Sequence, residues 1–223
     1  MPFFIAELDA IRSDIVRMGT VALEMTRLAI RSVEESDISL CERVMAMDDE
    51  VDELELHVHH ECLRYLSLRA PVAADVRRVT TAMRACQDLE RIGDEASSIC
   101  KRLRKICRRQ GKMSYLGEIP QMRQIVLNQL NTVLKALAEG DASVLESVVA
   151  DDRLLDKLYK SNLKAMPVQN NASDHDSVAF IVDFSFISKS IERIGDHAVN
   201  IAEEVVFLVD AKDVRHKHLD EKA

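Results

Sequence analysis

The chain has no tryptophan, three tyrosines and six phenylalanines, so aromatics make up only 4% of its 223 residues. Six glycines and four prolines are too few for the frequent tight turns of a sandwich or barrel. That scarcity excludes a turn-rich β fold and favours long helices. No apolar run approaches the roughly 20 residues that span a bilayer. Val178 to Val182 and Val205 to Val209 are long enough only to cover one helix face. Met1 to Glu7 has neither the basic start nor the apolar core of a signal peptide, so a cytoplasmic chain is expected. The five cysteines (Cys41, Cys62, Cys86, Cys100, Cys107) include no C-x-x-C pair, which speaks against a disulfide framework or a zinc ribbon. There is no Gly-x-Gly, no Walker A loop and no His-Glu-x-x-His, so the common phosphate-cradling and zinc-hydrolase motifs are missing.

What is present is 47% hydrophobic and 30% charged residues, ample for a packed helical core. Leu8, Ile11, Ile15, Met18, Ala22, Met25, Ala29, Ile30 and Val33 recur at helical spacing, which predicts a first helix over Ile5 to Val33. Ser36-Asp37 offers an N-cap for a second helix, Ile38 to about Leu68, which Arg69-Ala70-Pro71 breaks. A third runs from Val72 to about Arg109, and residues 110–117 read as a linker ending at Pro120. A fourth helix is expected over Gln121 to Glu139, with Gly140 as its C-cap and Asp141 as the next N-cap. The fifth covers Ala142 to about Met166, Pro167 and the polar stretch to Asp176 form a turn, and the sixth covers Ser177 to Asp210. The expected fold is all-α: two tandem three-helix bundles, at 1–110 and 118–212, followed by a polar tail, 213–223.

The halves repeat. Asp88-Leu89-Glu90-Arg91-Ile92-Gly93-Asp94-Glu95-Ala96 returns 102 positions later as Ser190-Ile191-Glu192-Arg193-Ile194-Gly195-Asp196-His197-Ala198. Each copy sets Glu and Asp four apart, on one face of a helix. A second acidic pair precedes each copy: Asp48 with Asp52, then Asp152 with Asp156. In an antiparallel hairpin, residues equidistant from the turn lie at one height. Asp52 and Glu90 lie 19 residues either side of Pro71, and Asp48 and Asp94 lie 23. Asp156 and Glu192 lie 18 either side of Asp174, and Asp152 and Asp196 lie 22. Asp52 is therefore expected to face Glu90 and Asp48 to face Asp94, with Asp156 facing Glu192 and Asp152 facing Asp196.

Carboxylates gathered this way repel one another unless a cation sits among them, and oxygen ligation favours Mg, Mn, Ca or ferric iron over zinc. Arg91 and Arg193 each point about 100° away from the preceding Glu and are expected to serve another helix. His197 stands where the first half has Glu95. His57, His59, His60 and Cys62 scatter around a helix and read as core edge and surface, and the cysteines as buried structural thiols. Gly93 and Gly195 each carry a helix-propensity cost of about 1 kcal/mol, which close backbone approach or clearance beside a metal site would justify; either way a larger residue there is expected to be harmful.

Net charge is −8, yet residues 101–112 hold seven basic residues and no acid. The plainer reading is a solvated helix C-terminus; the functional one is contact with an acidic protein surface or anionic lipid heads. Without interleaved aromatics, nucleic-acid binding is not expected.

The doubled Glu-Arg-Ile-Gly-Asp-x-Ala phrase resembles the signature of the PhoU family of phosphate-transport regulators. Ala70-Pro71-Val72-Ala73-Ala74-Asp75-Val76-Arg77 is similar to that family's Pro-Val-Ala-x-Asp-Leu-Arg segment, and Glu7-Leu8 and Met18-Gly19 also fit. The resemblance implies two three-helix bundles related by a pseudo-twofold. It implies divalent or trivalent metal ions (Fe, Mn, Mg or Zn), single or in polynuclear clusters, at Asp48, Asp52, Glu90, Asp94, Asp152, Asp156, Glu192 and Asp196. It further implies a cytoplasmic, non-enzymatic, commonly dimeric negative regulator linking the Pst phosphate ABC transporter and its ATPase to a PhoR-type histidine kinase. Such a protein meets the membrane only through its partners. A carboxylate-bridged metalloenzyme on a helical bundle is the alternative.

Overall fold

The computed structural model describes residues 2–169 and 175–215. It contains α1 (Pro2–Glu35), α2 (Ile38–Leu68), α3 (Ala73–Gln110), α4 (Ile119–Glu139), a short 3-10 turn (Ala142–Val144), α5 (Leu145–Gln169) and α6 (His175–Asp210). Helices α1, α2 and α3 pack mutually as one bundle, and α4, α5 and α6 as a second. The bundles join chiefly through α3 against α6, with α1 against α4 beside them.

The helix ends follow from local chemistry. Asp37 accepts a hydrogen bond from the Ser39 amide (2.8 Å) and starts α2. Asp141 does the same for Ser143 (3.0 Å) in the second bundle. Gly140 ends α4 in the left-handed conformation (φ 72°), and Gly111 ends α3 at φ 82°. Two expectations need correction. Helix α4 begins at Ile119, so Pro120 lies in its first turn, where its missing N–H goes unmissed. Helix α5 continues through Pro167 to Gln169, so the proline disturbs only the final turn. The predicted turn centre at Asp174 and most of the polar tail, 216–223, lie outside the described residues.

The apolar stripe read along α1 is buried from Leu8 to Val33 and faces stripes from α2 and α3. Fully burying one such aliphatic side chain contributes about 1.5–3 kcal/mol, so these rows hold each bundle together. Gly19 marks where α1 and α4 touch: a Cβ there would fall 2.2 Å from Leu134 Cδ2. Cys41, Cys62, Cys86 and Cys100 are buried free thiols and Cys107 is half-buried, as the sequence indicates. Burial pushes Cys62 up to about 11 and Cys86 up to about 12.

The second hairpin keeps its register even though its turn is not described. Asn162 Nδ2 donates to Ser188 Oγ (2.9 Å), and these residues are equidistant from position 175, one residue from the predicted centre. In the first hairpin Gly93 packs against Val51. Positions 48–52 and 90–94 are thereby brought level, as are 152–156 and 192–196.

Candidate functional site

In the first bundle α2 carries Asp48 and Asp52 and α3 carries Glu90 and Asp94, all at mid-height. Asp48 is half-buried, and its carboxyl is raised above the ordinary range. Burial is the largest cause; Asp52 and Asp94 add to it, while the Ser97 hydroxyl and Lys101 oppose it. Glu90, with its side chain 16% exposed, is pushed up to about 7. Burial again leads; Asp94, a hydrogen bond shared with Asp94, and Glu55 add to it, against the pull of Arg91. The charge of Asp94 thus reaches Asp48 across the hairpin. The α2 carboxylate acting on Glu90 is Glu55, which the sequence reading did not include. Asp52 and Asp94 face solvent.

Arg91 corrects a further expectation. It does not leave its own Glu but folds back to Glu90 Oε2 (3.2 Å) and Asp94 Oδ2 (3.0 Å). Arg193 crosses to α3 as expected, to Glu95 Oε1 (3.0 Å). The cause lies in the repeat itself. The residue related by the pseudo-twofold to Glu95 is His197, which is engaged with Asp88 (2.8 Å) and offers Arg91 no anion across the seam. Arg91 therefore settles on the nearest carboxylates.

The second set is deeper and more nearly neutral. Asp152 and Glu192 are buried, 5% and 7% exposed. Lys189 pairs with Glu192, and Lys160 pairs with Asp156 at 2.7 Å. The ammonium of Lys189 also lies 5.3 Å from the Tyr159 ring centre. The first repeat has Leu56 where the second has Lys160, Gln87 for Lys189, and Glu55 for Tyr159. Aligning the repeats beyond the acidic motif would have revealed this asymmetry: one site gains an acid, and its counterpart gains two ammonium groups. Among the described residues, no three His, Cys, Asp or Glu side chains converge closely enough to enclose one ion. The donor chemistry in the first repeat suits a hard cation, because burial and neighbouring acids raise the Asp48 and Glu90 carboxyls and a cation would relieve that repulsion. In the second repeat a cation would first have to displace Lys189 and Lys160.

Flanking both sites, α3 and α6 run antiparallel and form a polar seam. Arg84 Nη1 meets Glu204 Oε1 (3.1 Å), and Asn200 Nδ2 donates to Asp88 Oδ1 (2.9 Å). At the far end Arg102 (3.1 Å) and Arg109 (2.8 Å) clasp the buried Asp183. Burial raises the Glu204 carboxyl above its ordinary range, against the pull of Arg84. The histidines behave as read: His57 and His60 are exposed and His59 is half-buried.

A PhoU domain profile matches this chain twice, over residues 15–103 and 119–205. The chain is 34% identical over 97% of its length to a phosphate-specific transport system accessory protein PhoU homolog of Pseudomonas putida, covering 84% of that protein. It is 30% identical over 98% of its length to the phosphate-specific transport system accessory protein PhoU of Escherichia coli (strain K12), covering 90% of that protein. The crystal structure of PhoU from Pseudomonas aeruginosa matches with a TM-score of 0.87 at 32% identity, over 94% of this chain and 100% of that one. The phosphate transport system regulatory protein PhoU from Streptococcus pneumoniae matches with a TM-score of 0.85 at 25% identity, over 95% and 99%.

Proposed function

This chain belongs to the PhoU family, and we propose that it is a non-enzymatic accessory protein of phosphate transport that restrains phosphate uptake and phosphate-starvation signalling. The reading rests on one observation: PhoU domain matches cover both bundles, and the relatives named as phosphate-transport accessory proteins align over nearly the whole chain. In this reading it acts in the cytoplasm as a homodimer. It docks on the ATPase of a Pst-type phosphate ABC transporter and on a PhoR-type histidine kinase. Contact with the bilayer runs through those partners in this reading, and no helix among the described residues is long and apolar enough to cross a membrane.

Divalent or trivalent cations are the proposed cofactors, held by Asp48, Asp52, Glu90 and Asp94 and by Asp152, Asp156, Glu192 and Asp196. The raised Asp48 and Glu90 carboxyls support this assignment most directly for the first set. A bound cation there would supply the positive charge that the four acids lack. Lys189 and Lys160 already supply part of it in the second set, which we expect to bind more weakly.

Two experiments test the reading. Deleting the gene should derepress phosphate-starvation genes in phosphate-rich medium; normal repression in the deletion strain removes the regulatory role. Elemental analysis of protein purified without chelator or affinity-column metal should find bound cation. Glu90→Gln combined with Glu192→Gln should lower it sharply at unchanged helix content, and equal metal content in the variant refutes the site.

A further inference from the structure

The basic stretch at the end of α3 divides into two faces. Arg102 and Arg109 turn toward α6 and clasp Asp183, and Arg104 turns toward α2 and Glu42 (3.6 Å). Lys101, Lys105, Arg108 and Lys112 are exposed and form no ion pair among the described residues. Lys101, Lys105 and Arg108, spaced i, i+4 and i+7, lie in one row on the outward side of α3, and Lys112 follows just beyond the Gly111 cap that ends the helix. In a chain of net charge −8 this row stands out by sign.

A second row runs beside it. Val178, Val182 and Phe186 of α6 recur every four residues and are 47%, 46% and 48% exposed. The Arg102 guanidinium lies 4.0 Å from the Phe186 ring centre, and Arg109 reaches Asp183, so the apolar row lies alongside the basic one. The helical basic row, Lys101 to Arg108, is about 11 Å long and the apolar row about 12 Å at 1.5 Å per residue. Neighbouring helix axes lie roughly 8–10 Å apart, about the diameter of one further helix.

We propose that this two-row surface is the docking site for an acidic amphipathic helix of a partner protein. The partner's apolar side covers Val178, Val182 and Phe186, and its carboxylates meet Lys101, Lys105, Arg108 and Lys112. Two features favour a helix over a lipid surface. The apolar row lies beside the cations rather than below them, and lysine and arginine side chains reach farther from the backbone than valine. A flat bilayer would meet the cations first and leave the valines uncovered, whereas a rod settles between the rows. The inference rests on the proposed role as a docking regulator and assigns the surface that performs it.

Two arms test it in the full-length protein. A photo-crosslinking benzoylphenylalanine at Lys105 or Val182, activated in cells grown with ample phosphate, should attach to an acidic helical segment of a protein, read by mass spectrometry of the adduct. Lys101→Glu with Lys105→Glu and Arg108→Glu should cut that adduct about ten-fold and leave the deletion strain derepressed. The neutral set Lys101→Gln, Lys105→Gln and Arg108→Gln should weaken both readouts less, and its fold is checked by thermal melting. A lipid adduct, a nucleic-acid adduct, no adduct at all, or full repression by the charge-reversed protein each overturns the surface. Normal repression without the gene instead overturns the regulatory role, so the two failures are distinguishable.

Discussion

Replacing the motif glycine with alanine should affect the two repeats in opposite directions. Alanine gains about 0.5–1 kcal/mol over glycine in a helix interior, so each substitution begins with that advantage. At position 93 the new Cβ would sit 3.5 Å from both Met25 Cε and Val51 Cγ1, ordinary contact distances. Gly93→Ala should therefore stabilise the protein by roughly the propensity gain. At position 195 the Cβ would fall 2.5 Å from Leu155 Cδ1 and 3.1 Å from Gln129 Oε1. Leu155 is fully buried and Gln129 is held by a bond from its Nε2 to the Val148 carbonyl (3.0 Å), so neither gives way easily. Overpacking of this kind costs about 1–3 kcal/mol, leaving Gly195→Ala a net loss of about 1–2 kcal/mol. The variants should differ by about 2 kcal/mol, or roughly 4–8 °C in Tm. Urea melts with unchanged m-values measure this directly. Equal losses in both variants, or the larger loss at Gly93, would refute the packing argument.

Glu90 gives a pH signature. Its carboxyl, ordinarily near 4.5, keeps its proton up to about 7 in the folded chain. The folded state binds that proton more tightly than the unfolded one, so this contribution to stability is complete below the unfolded pKa and is lost as pH rises through about 7. In the presence of chelator, wild type should lose about 1–2 kcal/mol relative to Glu90→Gln between pH 5 and pH 8, and a pH-independent difference in urea midpoints would exclude it. Asp183→Asn should cost about 2–4 kcal/mol, because it leaves Arg102 and Arg109 without their buried carboxylate at the join between bundles. A loss below about 0.5 kcal/mol would show that the clasp is dispensable.

Helix order, caps and the height of the acidic pairs were legible in the sequence because they depend on local rules. An Asp before Ser39 or Ser143 caps whatever follows it, and an antiparallel hairpin levels residues equidistant from its turn. Even the hairpin around position 174 reads correctly from its flanks, since Asn162 and Ser188 meet one residue away from the expected register. Side-chain pairing was less legible. A 100° offset places a Cβ but not the end of an arginine, and Arg91 has enough rotatable bonds to return to Glu90. Glu55 escaped notice because it lies outside the doubled phrase, although it is one turn from Asp52. The partition of residues 101–112 into clasped and free cations depends on where Asp183 and Glu42 sit in space, which spacing along α3 cannot reveal.

The asymmetry between the repeats has a consistent physical pattern. Both copies keep Glu, Gly and Asp at the same helical positions, so the backbone and the direction of the carboxylates are held in common. What differs is the source of the opposing charge. In the second copy Lys189 and Lys160 are built into the fold, and Glu192 can lie 7% exposed because its partner is covalently part of the chain. In the first copy the cation on Glu90 is Arg91, itself 54% exposed and shared with Asp94, while Glu55 adds a further negative charge. A half-exposed arginine offsets little, because solvent screens it. Burial first, and the remaining repulsion after it, raise the Glu90 carboxyl to about 7. The first copy is therefore the one whose stability should vary with pH, while the second is closer to a fixed structural counterpart. A duplicated motif has kept its geometry and divided its electrostatics, and the seam of Arg193 with Glu95 and His197 with Asp88 joins the responsive bundle to the settled one.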